Sequence, residues 1–267
     1  MTTRPHAARL KAGLLSLSLA TGVVAAQPRP EESARPEGAG GAHATYLEGV
    51  LAAWPPAVDG PAAAGAVRLG CLATAGNERY VGMRQAVDIR APLAVVVAVL
   101  DDIGHYKDLF PDTVDVRLLA GSPLQGRFVT AWVQRAPVFF LPDITYELAH
   151  RVDRHDPARV VYRYRLRRGD QLTSSDGIVV LEAIEGGITH FTEYDFFDAR
   201  WGAVPTGVVW RESLRSAHHS DLAIKLRSEH PVWTYGEIAS EATRATAARG
   251  AELDRCFADR RVVVVAP

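Results

Sequence analysis

Several groupings of residues in this chain carry side chains capable of chemistry. His218, His219 and Asp221 are the residue types of a metal site and stand close together in sequence. Adjacent histidines on a helix point in different directions, so a polar helix surface is the better reading and no metal is assigned. His190 and Tyr194 fall on one face of an alternating segment, and Tyr146 can join them from another. Such a cluster could orient a ligand carbonyl or supply acid–base groups. His105, Tyr106 and Asp108 share a short segment that could gate a cavity or simply face water. Cys71 and Cys256 are too few for a structural zinc site. There is no GxSxG elbow, HExxH pair, P-loop or dinucleotide glycine fingerprint, so no catalytic residue and no cofactor is assigned.

Composition narrows the classes further. Hydrophobic residues make up 48% of the 267 residues and charged residues 23%, the balance of a globular chain with ample core. The net charge of −1 lacks the basic footprint of a nucleic-acid partner. Residues 1–11 carry Arg4, Arg9 and Lys11 without an acidic residue, and residues 12–24 are small and apolar. With Val24, Ala25 and Ala26 following, this is the pattern of a secretory signal peptide cleaved after Ala26. The apolar run is too short for a membrane span, which needs about 20 residues. Cleavage would take the net charge from −1 to about −4, and the destination would be periplasmic or secreted. In that oxidising setting Cys71 and Cys256 can pair as a disulfide; the alternative is two separate buried thiols.

The elements that must position these groups follow in order. Residues 27–42 are rich in Pro, Gly, Ala and Glu and read as a flexible linker. Residues 45–54 suit a short helix ended by Pro55-Pro56, and 60–66 a loop. Residues 80–89 alternate, with Val81, Met83, Gln85, Val87 and Ile89 on one side. Pro92 then opens a short helix over 93–100, and 101–110 forms a second one, stopped by Pro111.

Strand patterns recur at 114–119, 127–135, 144–152, 159–167, 177–183 and 188–197, the signature of an antiparallel meander. In 159–167, Arg159, Arg163, Arg165 and Arg167 make a basic stripe, read as a solvated outer face rather than an anion site. A long amphipathic helix starts at Pro205 or Thr206 within the stretch 201–227. Val209, Trp210, Leu214, Ala217, Leu222 and Ile224 give it a broad apolar face. Ser213, His218 and Asp221 flank that face and point either to a cavity or to water. A last helix is expected over 235–257, with Thr234 and Glu237 as a capping box.

The order of strand, two short helices, antiparallel strands and long helix resembles the helix-grip fold of the START/SRPBCC superfamily. That superfamily includes polyketide cyclase-like and coenzyme-Q-binding START-like proteins. The resemblance rests on Val87-Asp88-Ile89-Arg90-Ala91-Pro92, on Val99-Leu100-Asp101-Asp102 with Tyr106 and Phe110-Pro111-Asp112, and on Ser175-Asp176-Gly177 before an apolar strand. It also takes in Thr189 to Tyr194 and the turn into the long helix, and covers residues 79–227.

The resemblance implies an α+β fold in which a curved antiparallel sheet wraps a long C-terminal helix, with extra helical segments at both ends. The chain then divides into a signal peptide (1–26), a linker (27–42), an N-terminal extension (43–78), the helix-grip domain (79–228) and a C-terminal helix and tail (229–267). A bent sheet roofed by one helix leaves an apolar cavity, so the implied function is binding or transport of a lipid, isoprenoid or similar molecule. The inward faces nominate Trp132, Tyr146, Tyr162, Tyr164, His190, Tyr194 and Phe196, with Val209 and Trp210 from the helix; plain core packing is the rival role for each. The alternative functions are a polyketide cyclase/aromatase-like or hydrolase-like enzyme on the same fold, and an envelope protein whose cavity is only a core. The expected partner is an apolar small molecule, in a monomer that admits transient contact with a membrane.

Overall fold

The computed structural model describes residues 67–74, 77–136, 141–199 and 204–263. The expected signal peptide, linker and 45–54 helix lie outside these residues, as does Trp201.

Among the described residues nine strands form one sheet: β1 (Arg68–Thr74), β2 (Asn77–Ile89), β3 (Thr113–Ser122), β4 (Arg127–Gln134), β5 (Ile144–Asp156), β6 (Arg159–Gly169), β7 (Leu172–Ile184), β8 (Ile188–Ala199) and β9 (Arg261–Val263). Their spatial order is β3-β4-β5-β6-β7-β8-β2-β1-β9. Strands β3 to β8 are a meander of antiparallel neighbours, and β2 returns to lie beside β8. β1 pairs antiparallel with β2, and β9 pairs parallel with β1. The described part of the N-terminal extension is therefore strand, an element the sequence reading did not assign there. Its short alternation, Leu69 and Cys71 inward among small residues, is too weak a periodic signal to read alone.

The helices are α1 (Leu93–Asp101), α2 (Tyr106–Leu109), α3 (Thr206–Glu229), α4 (Tyr235–Ala248) and α5 (Gly250–Ala258). A 3-10 turn, Ile103–His105, leads into α2, so the second short helix is tighter and shorter than its sequence pattern. α3 has 24 residues, about 36 Å of helix, enough to cross the sheet. Its C-terminal end is latched to the β2–α1 joint: Lys225 donates to the Asp88 carbonyl at 3.1 Å and pairs with Glu229. Glu229 in turn accepts from the Arg90 backbone N–H at 2.8 Å.

One helix was expected after α3, and two are found. Arg249 leaves helical geometry at φ −100° and ψ 9°, and Gly250, a poor helix former, follows it. The predicted capping box is present at the start of α4: Thr234 Oγ1 accepts from the Glu237 N–H at 3.3 Å, and Glu237 accepts from the Thr234 N–H at 2.8 Å. The break lets α5 turn back so that Leu253, Cys256 and Phe257 pack with Cys71, Met83, Trp210 and Leu214. Cys71 and Cys256 are bonded, with Cα atoms 5.5 Å apart across 185 residues of sequence.

The basic stripe on β6 faces outward and is balanced within the sheet. Arg159 pairs with Glu182 at 3.2 Å, Arg165 with Asp176 at 3.5 Å and Arg167 with Glu147 at 3.3 Å. The larger core lies on the concave side, where Val87, Ile89, Leu181 and Phe191 meet Val96, Leu100, Leu222 and Ala223.

Candidate functional site

Between the concave face and α3 lies a cavity of about 490 Å³. Its walls come from alternate residues of the strands and from one stripe of α3. Ser213, Ser216, Ala217, Ser220, Asp221 and Ile224 line it at helical three- and four-residue spacing. The exposed Asp112 and Arg135, joined by a 2.7 Å backbone hydrogen bond, mark where it meets the surface.

One wall is aromatic. Trp132 and Tyr146 are cross-strand partners on β4 and β5, with parallel rings 6.0 Å apart. Tyr106 and Phe110 close on Trp132 at 5.7 and 6.2 Å. Trp132 Nε1 donates to Thr130 Oγ1 at 2.8 Å, and the same hydroxyl lies 2.7 Å from His150 Nε2. The Thr130 hydroxyl can donate to His150 Nε2 or accept from it, according to the imidazole tautomer. The His150 ring stacks on Phe128 at 4.3 Å. Burial pushes its pKa down to about 4, so it is neutral at physiological pH.

The opposite wall is acidic. A single row runs across the sheet through Phe128, His150, Tyr164, Gly177, Asp195 and Met83. The next row on β7, β8 and β2 is Val179, Glu193 and Gln85. Asp195 and Glu193 thus project into the cavity two residues apart, and Asp221 faces it from α3. Burial raises the pKa of all three, with their mutual repulsion adding to the rise for Asp195 and Asp221. Asp195 is pushed up to about 7. The surface that Glu193 and Asp195 retain faces the cavity rather than bulk water. Tyr164, held far above its ordinary pKa first by burial and then by Asp195 and Glu193, stays a hydroxyl donor beside them.

Of the residues nominated from sequence, Trp132, Tyr146, Tyr162 and Tyr164 line the cavity. Tyr162 also donates to Asp101 at 2.9 Å, which Arg154 clamps at 2.7 Å. His190, Tyr194 and Phe196 do not line it. They pair with Asp88, Arg84 and Gly82 on the convex face. His190 Nδ1 contacts Asp88 at 2.7 Å, Arg84 sits over the Tyr194 ring, and Phe196 covers Gly82. Segment 191–197 carries aromatics at both parities, so alternation does not choose a face, and a one-residue error flips the whole set.

Val209 and Trp210 are also displaced from the cavity. Both are buried, but Trp210 turns toward α5, 5.2 Å from Phe257. His218, His219 and Asp221 diverge as expected for one helix. His218 Nδ1 donates to Gln85 Oε1 at 2.9 Å, and Asp221 alone of the three lines the cavity. Among the described residues no group of three or more His, Cys, Asp and Glu has the geometry to hold a metal ion. Tyr106 lines the cavity with its hydroxyl donated to the Leu100 carbonyl, while His105 lies outside, 2.7 Å from Asp102. Glu193, Asp195, His150 and Thr130 were not nominated. The available signal was two carboxylates at i and i+2 inside an aromatic strand, a costly pattern unless they serve a site.

No family model matches the chain, and no curated protein matches it. Among solved structures, human StAR-related lipid transfer protein 5 shares 10% identity over 72% of this chain and 96% of its own, with a TM-score of 0.54. The STAR-related lipid transfer protein (fragment 25–204) from Xanthomonas axonopodis shares 14% over 72% and 97%, with a TM-score of 0.45. The Zhui aromatase/cyclase from Streptomyces sp. R1128 shares 20% over 67% and 91%, with a TM-score of 0.39. The first of these superposes well enough to establish the architecture: the chain has the START-type helix-grip fold.

Proposed function

We propose that this protein binds an apolar small molecule, a lipid or a molecule of similar character, in the cavity beneath α3. The observation that carries this reading is the cavity itself: about 490 Å³ of space between sheet and helix, with Trp132, Tyr146, Phe110 and Ile144 along its walls. Cavities of this size with mostly apolar walls and a few placed polar groups are the usual form of small-molecule sites. The shared fold of the human lipid transfer protein supports the same reading. Export is part of the proposal, supported by the signal-like N-terminus and by the Cys71–Cys256 bond, which persists in oxidising compartments.

Organic extraction and native mass spectrometry of the full chain test the reading. A small molecule released in near-stoichiometric amount, or saturable uptake of an apolar fluorophore competed by lipid, supports it. A chain that carries nothing and takes up no apolar probe overturns it.

A second reading has one observation in its favour. Asp195, with a pKa near 7 beside the Tyr164 hydroxyl, is a buried acid–base group in a ligand cavity. A substrate turned over by the intact protein but only bound by Asp195→Asn would establish an enzyme.

A further inference from the structure

The geometry points to a ligand that carries a protonated amine on an apolar body, the ammonium seated among Glu193, Asp195 and Asp221 and the body against Trp132 and Tyr146. This inference rests on the cavity being a ligand site and specifies the head group that the site takes.

The decisive residue is Asp221. It is 1% exposed, it lines the cavity, and neither of its carboxyl oxygens accepts from an N–H or a hydroxyl of the described residues. Its one polar neighbour is another acid, the Glu193 carboxyl, and a proton shared between the two still leaves an Asp221 oxygen without a donor. A buried carboxyl without partners is costly, and native proteins rarely leave one so. The groups that face it from other elements do not repair this. Glu193 and Asp195 on β8 are themselves acids, and Tyr164 on β6 is drawn to them. His150 on β5 is neutral and turned to Thr130, and His218 on α3 is spent on Gln85. Ser220 donates back to the Ser216 carbonyl at 3.0 Å. Among the described lining residues Arg135, at the mouth, is the sole arginine or lysine.

The missing partner is therefore a donor that the ligand brings. An ammonium has three donors and one charge, which matches three carboxyls drawn from β8 and α3. A hydroxyl would bring one donor and no charge. A carboxylate or phosphate head would be repelled by all three acids. Charge-assisted bonds to a buried carboxylate are the strong class of hydrogen bond, and the aromatic faces opposite hold the apolar body.

The test uses three probes with the same chain, decylamine, decanol and decanoate, titrated into the full protein by calorimetry. Decylamine is expected to bind roughly 10- to 100-fold more tightly than decanol at about pH 8, with decanoate weakest. Its advantage should shrink as the pH falls through about 7, where Asp195 takes up its proton, while decanol binding stays level. Asp221→Asn should abolish most of the amine preference, read as the ratio of decylamine to decanol affinity. Glu193→Gln serves as the second variant, and the melting temperature of each confirms folding. Decanol binding as well as or better than decylamine overturns the inference and leaves the apolar cavity standing. An undiminished amine preference in both variants also overturns it. If no probe binds, the cavity reading falls and the inference with it.

Discussion

The Tyr164 ring lies flat across Gly177, its hydroxyl oxygen 2.1 Å from where a Cβ on that glycine would stand. The two are cross-strand partners, and Gly177 is also the partner of Asp195 on its other side. The glycine is thus a gap in the middle strand through which a β6 tyrosine leans toward a β8 carboxyl. Gly177→Ala should close that gap and force Tyr164 off its position, destabilising the fold by about 1–3 kcal/mol. Adding Tyr164→Ala to Gly177→Ala should recover much of the loss. Denaturant unfolding of the two single variants and the double variant measures the coupling; simple additivity would show that the ring does not depend on the gap.

Register on β8 makes a second prediction. Removing a convex-face side chain, as in His190→Ala, should leave uptake of an apolar probe within about twofold, because it breaks the contacts to Asp88 at 2.7 Å and to Thr192 at 3.2 Å, both outside the cavity. Tyr146→Ala should weaken uptake about tenfold or more, since it removes a ring from the cavity wall. Fluorescence titration of both variants decides it, and equal effects would mean that the site lies elsewhere.

The same strand shows where the sequence was legible and where it was not. Strands such as 80–89 and 159–167 alternate strongly, and the faces read from them, Met83, Gln85 and Val87 on one and Tyr162 and Tyr164 on the other, do meet α3 or the cavity. Strand β8 does not alternate in hydrophobicity. Its aromatics fall on both faces, so the rule that apolar means inward had no purchase, and the inward face proved to be the one with the carboxylates. On α3 the width of the apolar stripe hid a division of labour: Trp210 and Leu214 pack toward α5, while the Ser213, Ser216, Ser220 and Asp221 line, polar in sequence, roofs the cavity. Hydrophobic periodicity finds the core, and the polar part of the cavity wall lies where a sequence reading expects solvent.

The Cys71–Cys256 bond ties α5 to β1 near the edge of the sheet that β9 completes. Closing a loop of this length is worth about 5 kcal/mol in the chain-entropy model, an upper figure for a real protein. The double variant Cys71→Ala/Cys256→Ala should unfold at a clearly lower denaturant concentration, and reductant should shift the parent protein the same way without affecting the variant. Uptake of apolar probes by the folded fraction should persist, since neither cysteine lines the cavity. Mass tagging of thiols in the unfolded parent should find none free before reduction.

The buried acids should leave their mark on stability as pH changes. Asp195, raised to about 7, and Glu193 and Asp221, also raised, hold their protons in the empty folded protein under conditions where the unfolded chain has released them. The folded state then binds more protons than the unfolded one, so stability falls with rising pH. For Asp195 the loss runs from its ordinary value of 3.8 up through about 7. The buried histidines act in the opposite sense. His150 and His218, lowered from 6.5 to about 4, add stability as pH rises across that interval and nothing above it. The two effects offset each other in mild acid, and from about pH 6.5 to 7.5 the carboxyls act alone. The melting temperature of the ligand-free protein should therefore decline across neutrality, and Asp195→Asn should flatten the decline. A saturating amine should flatten it too, by stabilising the ionised acids. A ligand-free parent whose melting temperature rises from pH 6.5 to 7.5 would show that these carboxyls are already ionised and paired in the folded state.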